Sequence, residues 1–161
     1  MLTDYQAQDI PGIPADSTSS GPDYLEFLKL VRQQLDKEQT LSIAAPASYW
    51  YLQGMPIANI SSVVDYIVYM AYDLHGQWDY GNKYVDSGCP GGNCLRHQVN
   101  ETEVGYSLAM ITKAGVPAHK VLVGMALYGR SFKITKSGCT SSNCTYVGPK
   151  SAAEPGRCTN T

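Results

Sequence analysis

The stretch "DYIVYMAYDLHGQWDY" (residues 65–80) decides how the chain reads. A run that ends in "DYIVYM", apolar enough for a buried strand, passes without a break into Tyr72, Asp73, His75, Trp78 and Asp79. Carboxylate, imidazole and indole groups after an apolar strand suit a parallel α/β fold. There the packed sheet fixes the strand ends and the loops at the C-terminal ends carry the chemistry.

The sequence on either side repeats that plan. Upstream, Leu25, Leu28, Val31 and Leu35, with Phe27 beside them, recur at helical spacing after Pro22, where a first turn tolerates proline. "TLSIAAPASYW" (40–50) is then a short apolar strand closed by a proline, and Pro56 opens a helix whose face is Ile57, Ile60, Val63 and Val64. Downstream, Asn100 and Glu103 have capping-box spacing, and Val99 and Val104 stand at the positions of a hydrophobic staple. Gly115 and Pro117 end that third helix. "KVLVGMALYGRSF" (120–132) supplies a third strand before the chain turns polar. Three strands, each an apolar run rather than an alternating one, predict a parallel sheet covered by helices and hence the α/β class. Residues 1–22, rich in Pro, Gly, Ser and Asp, read as loop.

Composition excludes several functions. Twelve basic against fourteen acidic residues give a formal charge of −2 without a basic block, so nucleic acid is not an expected partner. No run approaches the roughly 18 apolar residues of a membrane span, and the first thirty residues lack the apolar core of a signal peptide. No metal is expected, because the three histidines are scattered along the chain, and no cofactor is expected either.

The cysteines are more informative. "GCPGGNC" holds Cys89 and Cys94, and "GCTSSNC" holds Cys139 and Cys144, so one short polar pattern occurs twice. Local disulfides close such loops in oxidising compartments, which predicts Cys89–Cys94 and Cys139–Cys144 and leaves Cys158 over. Candidate glycosylation sites at Asn59, Asn100 and Asn143 agree with a secreted or cell-wall location.

All three predicted strands end in aromatic and polar residues: Ser48, Tyr49 and Trp50; Tyr72, Asp73, His75 and Trp78; Tyr128, Arg130 and Phe132. Aromatic faces with a few fixed donors and acceptors suit a carbohydrate, whose C–H face packs on a ring while its hydroxyls are hydrogen-bonded. Twelve tyrosines against two phenylalanines point the same way, although a single tyrosine is also an ordinary rim residue.

With these residues in hand, a resemblance can be stated. "YIVYMAYDLHGQWD" resembles the sixth-strand signature of the family 18 glycoside hydrolases, the chitinases, and "VLVGMALYGRSF" resembles their seventh. "GPDYLEFLKLVRQQL" followed by "LSIAAPASYW" resembles the fourth helix and fifth strand of the fungal killer-toxin-like subgroup. The resemblance implies a partial (β/α)8 TIM barrel, about three of its eight units, over residues 1–134, with 135–161 opening the insertion after the seventh strand. It also implies retaining cleavage of β-1,4-linked N-acetylglucosamine polymers in which the substrate's own acetamide attacks, an exception to the usual pair of enzymic carboxylates. In that setting Tyr72 holds the acetamide, Asp73 accepts from a sugar amide or hydroxyl, and Met70 floors the pocket. Trp78 stacks on a neighbouring sugar, and Tyr128 and Arg130 line adjoining subsites. Asp73 has a plainer alternative role as a cap at a strand end.

The family's proton donor ends an Asp-x-x-Asp-x-Asp-x-Glu motif, and no such motif occurs in this sequence. Asp36-Lys37-Glu38 is the nearest match, but it precedes a strand instead of ending one. The expectation is therefore a fragment that is inactive alone, with chitin or its oligomers as ligand and other domains of a parent chain as partners. A noncatalytic chitin-binding lectin is the alternative, and a small disulfide-linked secreted protein without a glycan role is a third.

Overall fold

The computed structural model describes residues 19–85 and 87–148, so the readings made of residues 1–18 and of Cys158 lie outside it. The described residues form two compact units. One comprises those up to Tyr72 together with Glu101–Met125, and the other Asp73–Asn100 with the residues from Ala126 onward.

The first unit is a three-stranded parallel sheet with helices. Its elements are α1 (Ser20–Gln34), β1 (Ser42–Pro46), α2 (Tyr49–Leu52), α3 (Ile57–Val63), β2 (Tyr66–Met70), α4 (Glu101–Lys113) and β3 (Val121–Val123). The strand order is β1-β2-β3, with Ile43 opposite Ile67, Ala45 opposite Tyr69, and Tyr69 opposite Val123. α1 buries Leu25 and Leu28 and carries Asp23 in its first turn and Arg32 in its last, as the helix dipole favours. α4 starts just after Asn100 and is followed by Gly115 at φ 98°, a left-handed position that suits glycine.

Two hydrogen-bonded joints lock these elements. The Lys120 ammonium donates to the carbonyls of Ser61 (2.7 Å) and Val64 (2.8 Å), meeting open acceptors at the C-terminal end of α3 with a cation. The Asp65 carboxylate accepts from Leu41 N–H (2.7 Å) and from Arg32 (2.9 Å). The Leu41 N–H, and then Arg32, hold its pKa below the usual value against the opposing effect of desolvation.

The first unit departs from expectation in three ways. Buried positions alternate: Ile43, Ala45, Ile67 and Tyr69 are buried, Ser42 and Ala44 are exposed, and Tyr66, Val68 and Met70 are half-buried. Helices therefore cover one face more fully than the other, as the bond from Tyr69 Oη to Ser107 O on α4 (3.0 Å) illustrates. An apolar run cannot distinguish one-face from two-face burial when Val and Tyr also occupy the open face. Second, β3 covers only Val121–Val123, with one further bond from Gly124 N–H to Tyr69 O (2.8 Å). Met125 and Leu127, read as strand because they are apolar, are exposed. Third, the single turn of α2 is too short to leave a periodic trace.

The second unit has little regular structure: a 3-10 turn at Gln77–Asp79 and two isolated antiparallel bridges, Cys94 with Thr145 and Ile134 with Tyr146. Disulfides join Cys89 to Cys94 and Cys139 to Cys144. The two loops meet where Leu95 N–H donates to Cys144 O (2.8 Å) and Tyr146 N–H to Asn93 O (2.8 Å). Tyr146 is the centre of this unit. It is 2% exposed, its ring lies against Phe132 (4.7 Å between centroids) and Tyr80 (6.1 Å), and its hydroxyl donates to Gly76 O (3.2 Å) and Gly92 O (3.4 Å). Gly92, at φ 63°, has Asp79 O only 1.9 Å from where a Cβ would stand, so no other residue fits there.

Candidate functional site

The chain leaves the first unit at Tyr72 and enters the second at Asp73, which takes a positive φ of 56°. Among non-glycine residues aspartate tolerates that region better than most. Its Oδ1 accepts two bonds from Arg130, from Nε at 2.9 Å and from a terminal nitrogen at 2.6 Å, so Oδ2 stays out of the pair. The same guanidinium lies 4.7 Å from the centroid of the Trp78 ring and 5.8 Å from that of Tyr128. Both distances are within cation–π range. Asp73, Trp78, Tyr128 and Arg130, singled out in separate stretches of sequence, thus form one cluster, in which the two rings remain 40% and 49% exposed.

Several groups hold this cluster in place. A Cβ on Gly76 would come within 2.3 Å of the Trp78 ring, so glycine is what lets the indole lie over its own turn. The turn closes through Asp79, 5% exposed, whose Oδ2 accepts from Gly76 N–H (3.2 Å) and pairs with His75 Nδ1 (2.9 Å). Gln98 ties the other side. Its Nε2 donates to Tyr128 O (2.7 Å) while its backbone carbonyl accepts from Leu74 N–H (3.0 Å), joining the residue after Asp73 to the segment that carries Arg130. Sequence reading noted His75 and Asp79 only as polar residues beyond a strand and missed Gln98, since a single glutamine in a loop carries no pattern.

The remaining candidates lie elsewhere. Met70 closes β2 and Tyr72 follows it; both are half-buried residues of the first unit, and the Tyr72 ring is 3.0 Å from the Cβ position of Gly124. Asn59 and Asn143 are exposed, and Asn100 is half-buried at the start of α4. Asp36-Lys37-Glu38 forms an exposed turn after α1, closed by Gln39 N–H donating to Asp36 O (3.0 Å). Among the described residues no group of His, Cys, Asp and Glu could hold a metal ion, and no helix is long and apolar enough to cross a membrane.

Chemically the cluster is suited to gripping rather than to proton transfer. Two exposed rings offer flat apolar surfaces, while a guanidinium and a carboxylate offer directed donors and acceptors, a combination that fits a sugar ring with polar substituents.

Comparison with known proteins places these observations in a family. The model for "Glycosyl hydrolases family 18" matches residues 5–158. The chain is 57% identical over 157 residues to "Probable chitinase LysM11" of Penicillium expansum, covering 96% of this chain and 14% of that protein. It is 45% identical over 142 residues to "Killer toxin subunits alpha/beta" of Kluyveromyces lactis, covering 87% of this chain and 12% of that protein. The chain therefore spans only a small part of the length of these curated relatives. Among solved structures, chitinase ChiA74 from Bacillus thuringiensis superposes with a TM-score of 0.64 at 22% identity, over 85% of this chain and 24% of that one. That similarity concerns the fold alone and implies one of the TIM-barrel type.

Proposed function

The chain belongs to family 18 of the glycosyl hydrolases, and from that premise we propose that it is the substrate-gripping part of a chitinase, acting on β-1,4-linked N-acetylglucosamine. The observation that carries this reading is the cluster of Asp73, Trp78, Tyr128 and Arg130, drawn from the two segments that resemble the family's signatures. Trp78 and Tyr128 offer ring faces for sugars, and Arg130 holds the Asp73 carboxylate ready for an amide or hydroxyl donor. Met70 floors the pocket, and the Tyr72 hydroxyl orients the acetamide that attacks the anomeric carbon. On this reading the described residues up to 134 correspond to about three units of a TIM barrel, and the described residues from 135 belong to its insertion. The disulfide loops and the sequons at Asn59, Asn100 and Asn143 favour secretion or the cell wall.

In this mechanism a glutamic acid must protonate the leaving oxygen. The sequence has no Asp-x-x-Asp-x-Asp-x-Glu motif, and none of the clustered residues is a glutamic acid. General acid catalysis typically contributes 10²- to 10⁴-fold, so this chain by itself should show no turnover. The test is incubation of the pure chain with tetra-N-acetylchitotetraose and measurement of new reducing ends. None is expected; turnover that disappears in Glu38→Gln would contradict the reading.

A further inference from the structure

The angle of the Trp78 indole is set by the backbone it lies against. A Cβ on Gly76 would fall inside contact distance of Cη2, Cζ3 and Cζ2 at once, so the Gly76 backbone rests on the six-membered ring, and where Gly76 moves the indole must follow. Asp79 fixes Gly76 within its own turn, through Asp79 N–H to Gly76 O (3.1 Å) and Gly76 N–H to Asp79 Oδ2 (3.2 Å). Bonds inside a turn shape it without locating it. At Gly76 a bond from outside the turn is supplied by Tyr146, whose hydroxyl donates to Gly76 O (3.2 Å) and also to Gly92 O (3.4 Å). The far anchor is firm: Gly92 lies in the loop closed by the Cys89–Cys94 disulfide, and its N–H donates to Cys89 O (2.9 Å). The Tyr146 ring also meets Phe132, two residues beyond Arg130 (4.7 Å between centroids). One side chain therefore touches both the turn that carries Trp78 and the segment whose guanidinium lies against it.

A hydroxyl at this place needs a reason. Phenylalanine would fill the same buried space without taking an O–H out of water, which costs free energy unless protein bonds replace those to solvent. Burial, and after it Asp79 and Tyr80, push the Tyr146 pKa up to about 12, so the phenol remains a donor at neutral pH. A single O–H shared between two carbonyls sets the turn against the loop. We propose that Tyr146 is a positioning residue for Trp78, its hydroxyl holding Gly76 to Gly92 so that the indole stands at the angle on which N-acetylglucosamine stacks. The inference rests on reading the cluster as the grip of a chitinase. A ring held ready loses less freedom when a sugar packs on it than one that must first be ordered.

The test is a double-mutant cycle, read by calorimetric titration of tetra-N-acetylchitotetraose into the full chain, Tyr146→Phe, Trp78→Ala and the double variant, each checked for folding by circular dichroism. Phenylalanine keeps the ring and removes only the hydroxyl. Tyr146→Phe is expected to bind about three- to tenfold more weakly, the range for ordering one side chain on binding, and to have no further effect once Trp78 is alanine. A residue that only stabilised the unit would act alike in both backgrounds. Thr135→Val, which removes hydroxyl bonds to Thr145 in the same unit, should bind as the unsubstituted chain does. Should Tyr146→Phe fail to fold, Phe132→Leu takes its place in the cycle with the same expectation, because it withdraws the ring against which Tyr146 rests. Affinity unchanged by the substitution, reduced by the same factor with and without Trp78, or reduced as much by Thr135→Val overturns the inference and leaves the chitinase reading standing. An unsubstituted chain that does not bind overturns both.

Discussion

In the first unit the buried side chains are those of an ordinary core, among them Leu28, Ile43, Ile60, Ile67, Tyr69 and Ile111. In the second they are Cys89, Cys144, Tyr146, Asp79 and Gln98. One unit is held by apolar area, the other by two disulfides, a buried phenol and hydrogen bonds to loop backbone. The clustered residues of the candidate site lie in the second. Loops that must expose Trp78 and Tyr128 cannot also bury them, so their rigidity has to come from covalent links and polar ties.

The largest effect that would sharpen this contrast is reduction. Each disulfide closes a short loop and contributes about 2 kcal/mol by loss of unfolded-chain entropy, so reducing both should destabilise the second unit by about 4 kcal/mol. Hydrogen exchange is the measurement. Leu95, Thr135 and Tyr146 should lose protection while Ile67 and Tyr69 keep theirs; equal losses in both units would break the comparison.

Alkali should act next, again on the second unit. Burial, and after it the negative charge of Asp79 and the neighbouring Tyr80, push the Tyr146 pKa up to about 12. An unfolded tyrosine ionises near 10. The neutral phenol's contribution is therefore complete below about pH 10 and is lost as pH rises through 12. Tyr146→Phe should remove that dependence from a denaturation series taken against pH, and an unchanged profile would show that another group governs it.

The smallest effect on stability is expected for Gln98→Leu. The substitution removes the bond to Tyr128 O, but it also removes Oε1, which is buried without a hydrogen-bond partner. These changes offset, leaving a net loss of about 1 kcal/mol or less in a urea melt. A loss above about 3 kcal/mol would mean that Gln98 supports far more than the Tyr128 segment.

The same contrast explains what was legible in the sequence. α1, α3 and α4 announced themselves because Leu25 and Leu28, Ile57 and Ile60, and the Asn100 and Gly115 ends follow helical period and capping rules. The parallel order of β1, β2 and β3 followed from alternation of strand and helix. The extent of β3 did not, because Met125 and Leu127 are as apolar as Val121 yet stand exposed. In the second unit the repeated Gly-Cys pattern exposed both disulfide loops, whereas the cluster of Asp73 with Arg130, 57 residues apart, came from resemblance to known signatures and not from any period. Gln98 left no signal at all, since a glutamine matters only through what three-dimensional packing puts beside it.

The proposed function makes Trp78, held over Gly76 and beside Arg130, a platform for N-acetylglucosamine polymers. Calorimetric titration of tetra-N-acetylchitotetraose into the chain and into Trp78→Ala tests it directly, because a side chain that is 40% exposed can be removed with little disturbance to the fold. The chain is expected to bind, and the variant to bind more weakly by about 1–3 kcal/mol, as for ring stacking on other aromatic side chains. Equal affinity for the two proteins, with both still folded, would contradict it.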